Sequence, residues 1–147
     1  MPITMRVGTV NFSQYELERS VKASKNGIDN SIPPQYLQNA QDLLNALQTF
    51  RDALGKPIKI TSGYRCEKLN KLVGGVPNSS HTRCWAADIA VDGMSPKELF
   101  NWIWGYLIGS KTKFGQLIVE HSKTGSWVHF SIRDDKGQRC QVKEMYV

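Results

Sequence analysis

Residues 79–91, with the sequence SSHTRCWAADIAV, run from a predicted loop into a predicted strand and carry two metal-ligand residue types. The preceding residues 77–80 are rich in Pro, Asn and Ser, which favour loops. Residues 87–91, which are apolar except for Asp88, predict a strand. His81 is therefore expected in the loop, and Asp88 is expected in the strand seven residues further on.

A second suitably placed histidine is His129, in the predicted strand 127–133. Val128 and Phe130 belong to the apolar face of that strand, so His129 is expected on the opposite, polar face. Two histidines and one carboxylate suit a zinc site that leaves a fourth position for water, as catalysis requires. Spacing alone does not separate such a site from histidines that are ordinary surface or core residues.

Outward from these residues, the pattern predicts helices followed by a small sheet. A capping box at residues 13–16 opens a short helix that ends near residues 26–27. The prolines at 33–34 open a longer helix that ends at Gly55, and its leucines at helical spacing predict core. The later predicted elements are a strand at 58–61, a helix at 67–73, a strand at 87–91, a helix from the capping box at 95–98, a hairpin of 116–120 and 127–133, and a last strand at 141–146. This order predicts one α+β domain over residues 1–147, with helices packed on a small, mostly antiparallel sheet.

The length and composition predict one folded domain. The chain has 147 residues, 40% of them hydrophobic and 22% charged, which argues against disorder. No apolar run approaches the roughly 20 residues that span a bilayer, so we expect no membrane insertion. The first residues lack the apolar segment of a secretory signal, and the three cysteines are an odd, sparse set. We therefore expect cytoplasmic synthesis.

The net charge of +6 favours anionic partners such as nucleic acid, an anionic membrane surface or an anionic wall polymer. The basic residues are scattered, however, and form no dense basic helix. A well-solvated surface explains the same charge. Because a nucleic-acid-binding function rests on charge alone, we expect no nucleic-acid partner.

Residues 79–88 resemble the S-x-H-x-x-G-x-A-x-D motif of the zinc D-alanyl-D-alanine peptidase family. That family also contains L-alanyl-D-glutamate endopeptidases and phage lysis enzymes, and it shares its fold with the Hedgehog signalling domain. Other family landmarks occur in the same order, namely SGYR at 62–65, GGVPNS at 74–79 and WVH at 127–129. The resemblance covers about residues 12–133 and implies the same fold.

The resemblance implies that His81, Asp88 and His129 bind zinc and that Arg65 holds a substrate carboxylate. Zinc on three protein ligands lowers the pKa of bound water towards ~7 and polarises a carbonyl, so an amide can be hydrolysed without a covalent enzyme intermediate. A guanidinium suits a carboxylate because it makes paired, charge-assisted hydrogen bonds. The alternative for Arg65 is a surface residue at a strand end. Ser79 either bonds substrate or turns the loop.

The first departure from the family pattern is Cys84, which occupies the motif's glycine position. If the backbone there has positive φ, cysteine costs energy that glycine does not. A buried structural cysteine is the favoured interpretation. The alternatives are a fourth zinc ligand, a redox-sensitive thiol, and a nucleophile paired with His81, although the last leaves the other motifs unexplained.

The second departure is Ser126, at the position where many family members carry the general-base carboxylate, three residues before the last histidine. Glu120 is the best substitute. In a tightly paired hairpin it becomes a diagonal neighbour of His129 on the same face, within reach of a long side chain. Asp134 and Asp135 compete for this role but are expected in the next turn. The alternative for Glu120 is an exposed glutamate near a strand end.

These features predict a zinc peptidase that hydrolyses amide bonds in peptidoglycan stem peptides, of either the D-Ala-D-Ala or the L-Ala-D-Glu type. We expect this enzyme to be a monomer that acts in phage or prophage lysis or in cell-wall remodelling. An endolysin of this kind accumulates in the cytoplasm and acts at the host cell wall. The alternative is a non-catalytic wall-binding or virion structural module that keeps the peptidase fold.

Overall fold

The computed structural model describes residues 6–147. Its helices are α1 Gln14–Glu18, α2 Val21–Lys25, α3 Leu37–Leu54, α4 Glu67–Leu72 and α5 Pro96–Ser110. Two 3-10 helices cover Pro34–Tyr36 and Ser80–Arg83. The strands are β1 Lys59–Ser62, β2 Ala86–Ala90, β3 Gln116–Ser122, β4 Gly125–Ser131 and β5 Gln141–Tyr146. The predicted α+β class is confirmed.

The five described strands form one sheet in the order β1-β2-β4-β3-β5. Each neighbouring pair is antiparallel except β3 and β5, which run parallel. The parallel pair needs only a short connection, because β4 ends at Ser131 beside Gln116, the residue against which β5 begins. The sheet is therefore mostly antiparallel, as predicted.

The N-terminal helix differs from the prediction, which was one helix up to residues 26–27. The structure contains two short helices, α1 and α2, separated at Arg19 and Ser20. The Ser20 hydroxyl accepts a hydrogen bond from the backbone N–H of Ala23 and starts the second helix as its N-cap. Serine at this position offers the backbone an alternative to continuing the first helix, which is why the predicted helix is interrupted.

Helices α3 and α5 supply the core that covers one face of the sheet. Phe50 of α3 packs edge-on against Phe130 of β4, with ring centroids 5.0 Å apart. The fully buried side chains of the two helices include Leu43, Leu44, Leu47, Leu99 and Ile103. Because side chains alternate along a strand, Val128 and Phe130 face this core while Trp127 and His129 face the other side. Within residues 6–147, no helix has both the length and the apolar character needed to cross a membrane.

Candidate metal centre

Three metal-ligand side chains meet on the face of the sheet opposite the helical core. Asp88 of β2 pairs with His129 of β4, and His81 comes from the 3-10 helix Ser80–Arg83. The Oδ1 atom of Asp88 lies 3.4 Å from His81 Nε2 and 3.2 Å from His129 Nδ1. The ligand atoms of the three residues all lie within 4.8 Å of one another. The structure therefore brings together the three residues that the sequence indicated as a metal site.

The buried ring of His81 is held in one orientation. The Ser79 hydroxyl accepts a hydrogen bond from the backbone N–H of His81 and opens the 3-10 helix. His81 Nδ1 lies 2.7 Å from the carbonyl oxygen of Gly63. Because a carbonyl oxygen can only accept, Nδ1 carries the proton and Nε2 presents its lone pair to Asp88 and His129. Burial lowers the pKa of His81, opposed by the adjacent carboxylate of Asp88, and so favours the neutral ring that binds metals.

The donor set and its spacing fit zinc. Burial would raise the pKa of Asp88, but the adjacent rings of His129 and His81 hold that pKa well below the usual range, so the carboxylate is ionised. Tetrahedral zinc with bonds of about 2.0–2.1 Å separates its ligand atoms by roughly 3.3 Å. The two separations from Asp88 Oδ1, 3.4 and 3.2 Å, match that value. Two imidazoles and one carboxylate also leave a fourth position for water or substrate.

The three residues line a cleft of about 520 Å³, and Arg65 borders the same cleft. The backbone N–H of Arg65 donates to the carbonyl of His81 at 3.1 Å, and Arg65 Nη2 donates to Ser79 Oγ at 3.4 Å. Among the described residues, no acceptor pairs with the buried Nε atom of Arg65. Burying a guanidinium N–H without an acceptor is unfavourable, and a carboxylate bound along Nε and Nη would supply one. The geometry thus suits the role that the resemblance implies for Arg65.

Ser79 has a structural role in this site. Its hydroxyl caps the 3-10 helix that carries His81 and accepts the hydrogen bond from Arg65. The loop-turning function considered from the sequence is therefore present. Because Ser79 also borders the cleft, contact with substrate stays a prediction.

Glu120 also borders the cleft, in the position expected from the hairpin. In the β3–β4 ladder Glu120 lies opposite Trp127, and Ile118 lies opposite His129, so Glu120 is a diagonal neighbour of His129 on the same face. The side chain is half-buried, and within the described chain no hydrogen bond or ion pair engages its carboxylate. An uncommitted carboxylate on the cluster's side of the sheet is compatible with a general base, and this role of Glu120 stays a prediction.

The other candidate positions for a general base differ in what they contact. Ser126 bonds His121 Nδ1 at 2.8 Å, and His121 Nε2 bonds Glu144. The ladder pair of His121 and Ser126 is adjacent to the pair that borders the cleft, and side chains alternate along a strand. This network therefore lies on the sheet face away from the cluster. Asp134 and Asp135 lie in the turn after β4, as expected, but this turn borders the cleft. Asp134 is tied to Arg139, whereas Asp135 is exposed.

Cys84 has the backbone conformation that makes glycine the usual residue at its position. Its φ is 60° and its ψ is 32°, in the left-handed region, where a side chain costs energy. The residue is fully buried in the hydrophobic core, and burial raises the pKa of its thiol to about 12. A buried, protonated thiol supports the structural interpretation over a redox-sensitive or nucleophilic one.

Two features of the site were not marked by side-chain chemistry in the sequence. The Gly63 carbonyl orients His81 through the backbone, so no side-chain type marks it. Asp134 and Arg139 form an ion pair on the border of the cleft, but they lie in a turn outside every motif. The SGYR motif contains Gly63, so motif position was the only indication available for it.

We predict that Gly63→Ala destabilises the fold by about 1–3 kcal/mol, as overpacking does. A Cβ atom on Gly63 would lie 2.6 Å from the carbonyl oxygen of Leu17, a backbone atom that cannot simply rotate away. Thermal or denaturant unfolding measures the change. The matched control is Gly105→Ala on the exposed face of α5, where a Cβ meets nothing within 4 Å and should stabilise by about 0.5–1 kcal/mol. Equal stability of Gly63→Ala and the parent protein would contradict the close packing.

Comparison with known proteins identifies the family to which the chain belongs. The family model described as Peptidase M15 matches residues 10–131, a range that includes the cluster, Arg65 and Glu120. A search of curated proteins finds no match. Peptidases of the M15 family are zinc-dependent, which agrees with the ligand set found here. The chain belongs to the peptidase M15 family, and this membership supports a zinc-dependent peptidase that acts on peptidoglycan peptides.

Proposed function

We propose that this protein hydrolyses one amide bond in the stem peptides of peptidoglycan, with His81, Asp88 and His129 as the zinc ligands. The observation that carries the proposal is the position of this cluster in a cleft that it shares with Arg65 and Glu120. The cluster supplies a metal site, and the two further residues supply a carboxylate-binding group and a base. Zinc-assisted hydrolysis of a peptide that carries a carboxylate can use all three functions in one cleft.

The side chains divide the chemistry between them. When bound by the cluster, zinc would supply Lewis-acid polarisation of the scissile carbonyl and would acidify a water molecule. Glu120 takes a proton from the attacking water and later passes it to the leaving amine nitrogen. Arg65 binds a carboxylate of the peptide close to the scissile bond. This contact limits the orientations in which the scissile carbonyl can approach the cluster.

Two substrate types fit this arrangement, since D-Ala-D-Ala and L-Ala-D-Glu bonds both place a carboxylate near the scissile amide. The net charge of +6 favours binding to an anionic wall polymer. A role at the bacterial cell wall, in phage or prophage lysis or in wall remodelling, is therefore part of the proposal.

Mass spectrometry of digested peptidoglycan tests the proposal and identifies the bond. Purified protein loaded with zinc is incubated with peptidoglycan and with a synthetic stem pentapeptide, and the new termini are read from the product masses. Loss of a single D-Ala indicates carboxypeptidase activity, whereas release of L-Ala from the remaining peptide indicates the endopeptidase type. If neither substrate is cleaved, the non-catalytic wall-binding or virion module is the better description.

We predict that Arg65→Ala lowers kcat/KM by roughly 10- to 100-fold, because a charge-assisted hydrogen bond to the substrate carboxylate is lost. Zinc content and unfolding temperature should stay close to the parent values. The control is Lys68→Ala, which removes the same charge from an exposed position of α4. Unchanged catalytic efficiency in Arg65→Ala would assign Arg65 a structural role only.

A further inference from the structure

A second arginine borders the cleft outside the residues that the family model matches. Arg139 follows β4 in the chain, and its guanidinium donates from Nε and Nη2 to Asp134 Oδ2 at 2.9 and 2.6 Å. Asp134 is only 6% exposed, whereas the Arg139 side chain is 36% exposed. The buried carboxylate thus holds a guanidinium that still faces the cleft.

The turn that carries this pair is rigid at its base. Asp134 and Gly137 exchange two backbone hydrogen bonds of 3.0 Å, and Asp134 Oδ1 accepts from the backbone N–H of Lys136 at 2.8 Å. The backbone N–H of Cys140 donates to the carbonyl of Phe114 and joins the end of the turn to the start of β3. Arg139 is therefore held in place before any ligand arrives, which reduces the entropy lost on binding.

Arg139 and Arg65 lie on opposite sides of the metal cluster in the order of the strands. Arg65 follows β1 at one edge of the sheet, and Arg139 precedes β5 at the other edge. Asp88 of β2 and His129 of β4 lie between those edges. Both arginines also border the same cleft, so a peptide bound there could meet both guanidinium groups.

The negative charges around the cleft mean that a ligand carboxylate needs a direct hydrogen bond from a group such as the Arg139 guanidinium. Glu120 and Asp135 also border the cleft and would repel a carboxylate that is not directly paired. A guanidinium has five N–H donors, and Asp134 accepts from two nitrogens of Arg139, which leaves Nη1 for a ligand. Among the described residues, no hydrogen bond engages Nη1. Recognition of a carboxylate at this end of the cleft depends on those remaining donors.

We propose that Arg139 binds a second carboxylate of the stem peptide, distinct from the one held by Arg65, and so determines which stem peptides are accepted. This inference rests on the proposed function. Stem peptides fit it chemically, because one peptide carries the α-carboxylate of D-Glu, the C-terminal carboxylate and, with diaminopimelate at the third position, a side-chain carboxylate.

The test uses a parent peptide, L-Ala-γ-D-Glu-diaminopimelate-D-Ala-D-Ala, and three versions in which one carboxylate each is replaced by an amide. Each peptide is measured with zinc-loaded parent protein, Arg65→Gln and Arg139→Gln. The charge control is Lys136→Gln, which removes one positive charge from the same turn at an exposed position. Arg139→Lys keeps a cation beside Asp134 and serves if the glutamine variant unfolds.

The parent protein should disfavour two of the amidated peptides by roughly 10- to 100-fold in kcat/KM. Arg139→Gln should no longer discriminate against one of these two amidated peptides, and the change should appear in KM with kcat little changed. Arg65→Gln should no longer discriminate against the other amidated peptide. Arg139→Lys should lose most of the same discrimination as Arg139→Gln, because lysine lacks the forked donors. Lys136→Gln should keep the parent pattern.

The inference is overturned if Arg139→Gln keeps the parent pattern, or if it loses the same carboxylate preference as Arg65→Gln. If the parent protein cleaves none of the peptides, the proposed hydrolysis is wrong, and calorimetric titration of the same four peptides decides the role of Arg139 separately. In that titration, parent protein and Arg139→Gln should differ in affinity for one carboxylate only. Equal affinities in both proteins would contradict the inference.

Discussion

His129→Ala is expected to lower zinc affinity by more than the roughly 10- to 100-fold that follows loss of a residue that merely supports a ligand. The reason is that His129 Nδ1 is one of three donor atoms grouped within 4.8 Å, and two donors cannot complete the proposed site. Elemental analysis after dialysis and competition with a chromophoric chelator measure the change. Peptidase activity at limiting zinc should fall to background.

His121→Ala is the matched control for that variant. His121 lies on the opposite face of the sheet, where it bonds Ser126 and Glu144, and its ring stacks on Tyr146. Loss of this histidine should leave zinc content at one ion per chain. Equal zinc in His129→Ala and the parent protein would remove His129 from the proposed site.

Glu120→Gln is expected to reduce turnover by ~10²–10⁴ while zinc stays bound. Glutamine keeps the size and hydrogen-bonding shape of the side chain but cannot accept the proton of the attacking water. Turnover and zinc content measured on the same preparation separate the roles, since loss of a ligand would release metal and loss of a surface residue would change neither.

Asp135→Asn is the control for Glu120→Gln, because the exposed Asp135 carboxylate also borders the cleft without a hydrogen-bonded partner in the described chain. Its activity should stay near the parent value. If Glu120→Gln turns over at the parent rate and Asp135→Asn does not, Asp135 is the general base instead.

Local pattern was enough to predict the hairpin that carries His129 and Glu120, whereas His81, expected in a loop, lies in the 3-10 helix Ser80–Arg83. Alternation in β4 placed His129 on the face away from Val128 and Phe130, and tight pairing of the hairpin placed Glu120 beside it. Both inferences depend on the two-residue period of a strand, which is fixed by backbone geometry. The motif around Asp88 then indicated that the strand of Asp88 contributes to the same site as His129.

Features that depend on distant or backbone contacts could not be predicted. The hydrogen bond from His81 to the Gly63 carbonyl joins residues 18 positions apart without any side-chain signature. The chain breaks between α1 and α2 because Ser20 acts as the N-cap of α2. The sequence pattern of the same residues was equally compatible with one continuous helix. Arg139 reaches the cleft only because β5 pairs with β3 and brings the preceding turn beside the cluster.

The most direct measurement is a zinc titration of the metal-stripped protein, followed by hydrolysis of the stem pentapeptide at each zinc-to-protein ratio. Activity should be absent after chelation, rise linearly with added zinc and level off at one zinc ion per chain. Zinc binding by His129→Ala should be too weak to show this break. Full activity in protein shown by elemental analysis to contain no metal would contradict a zinc-dependent peptidase at His81, Asp88 and His129.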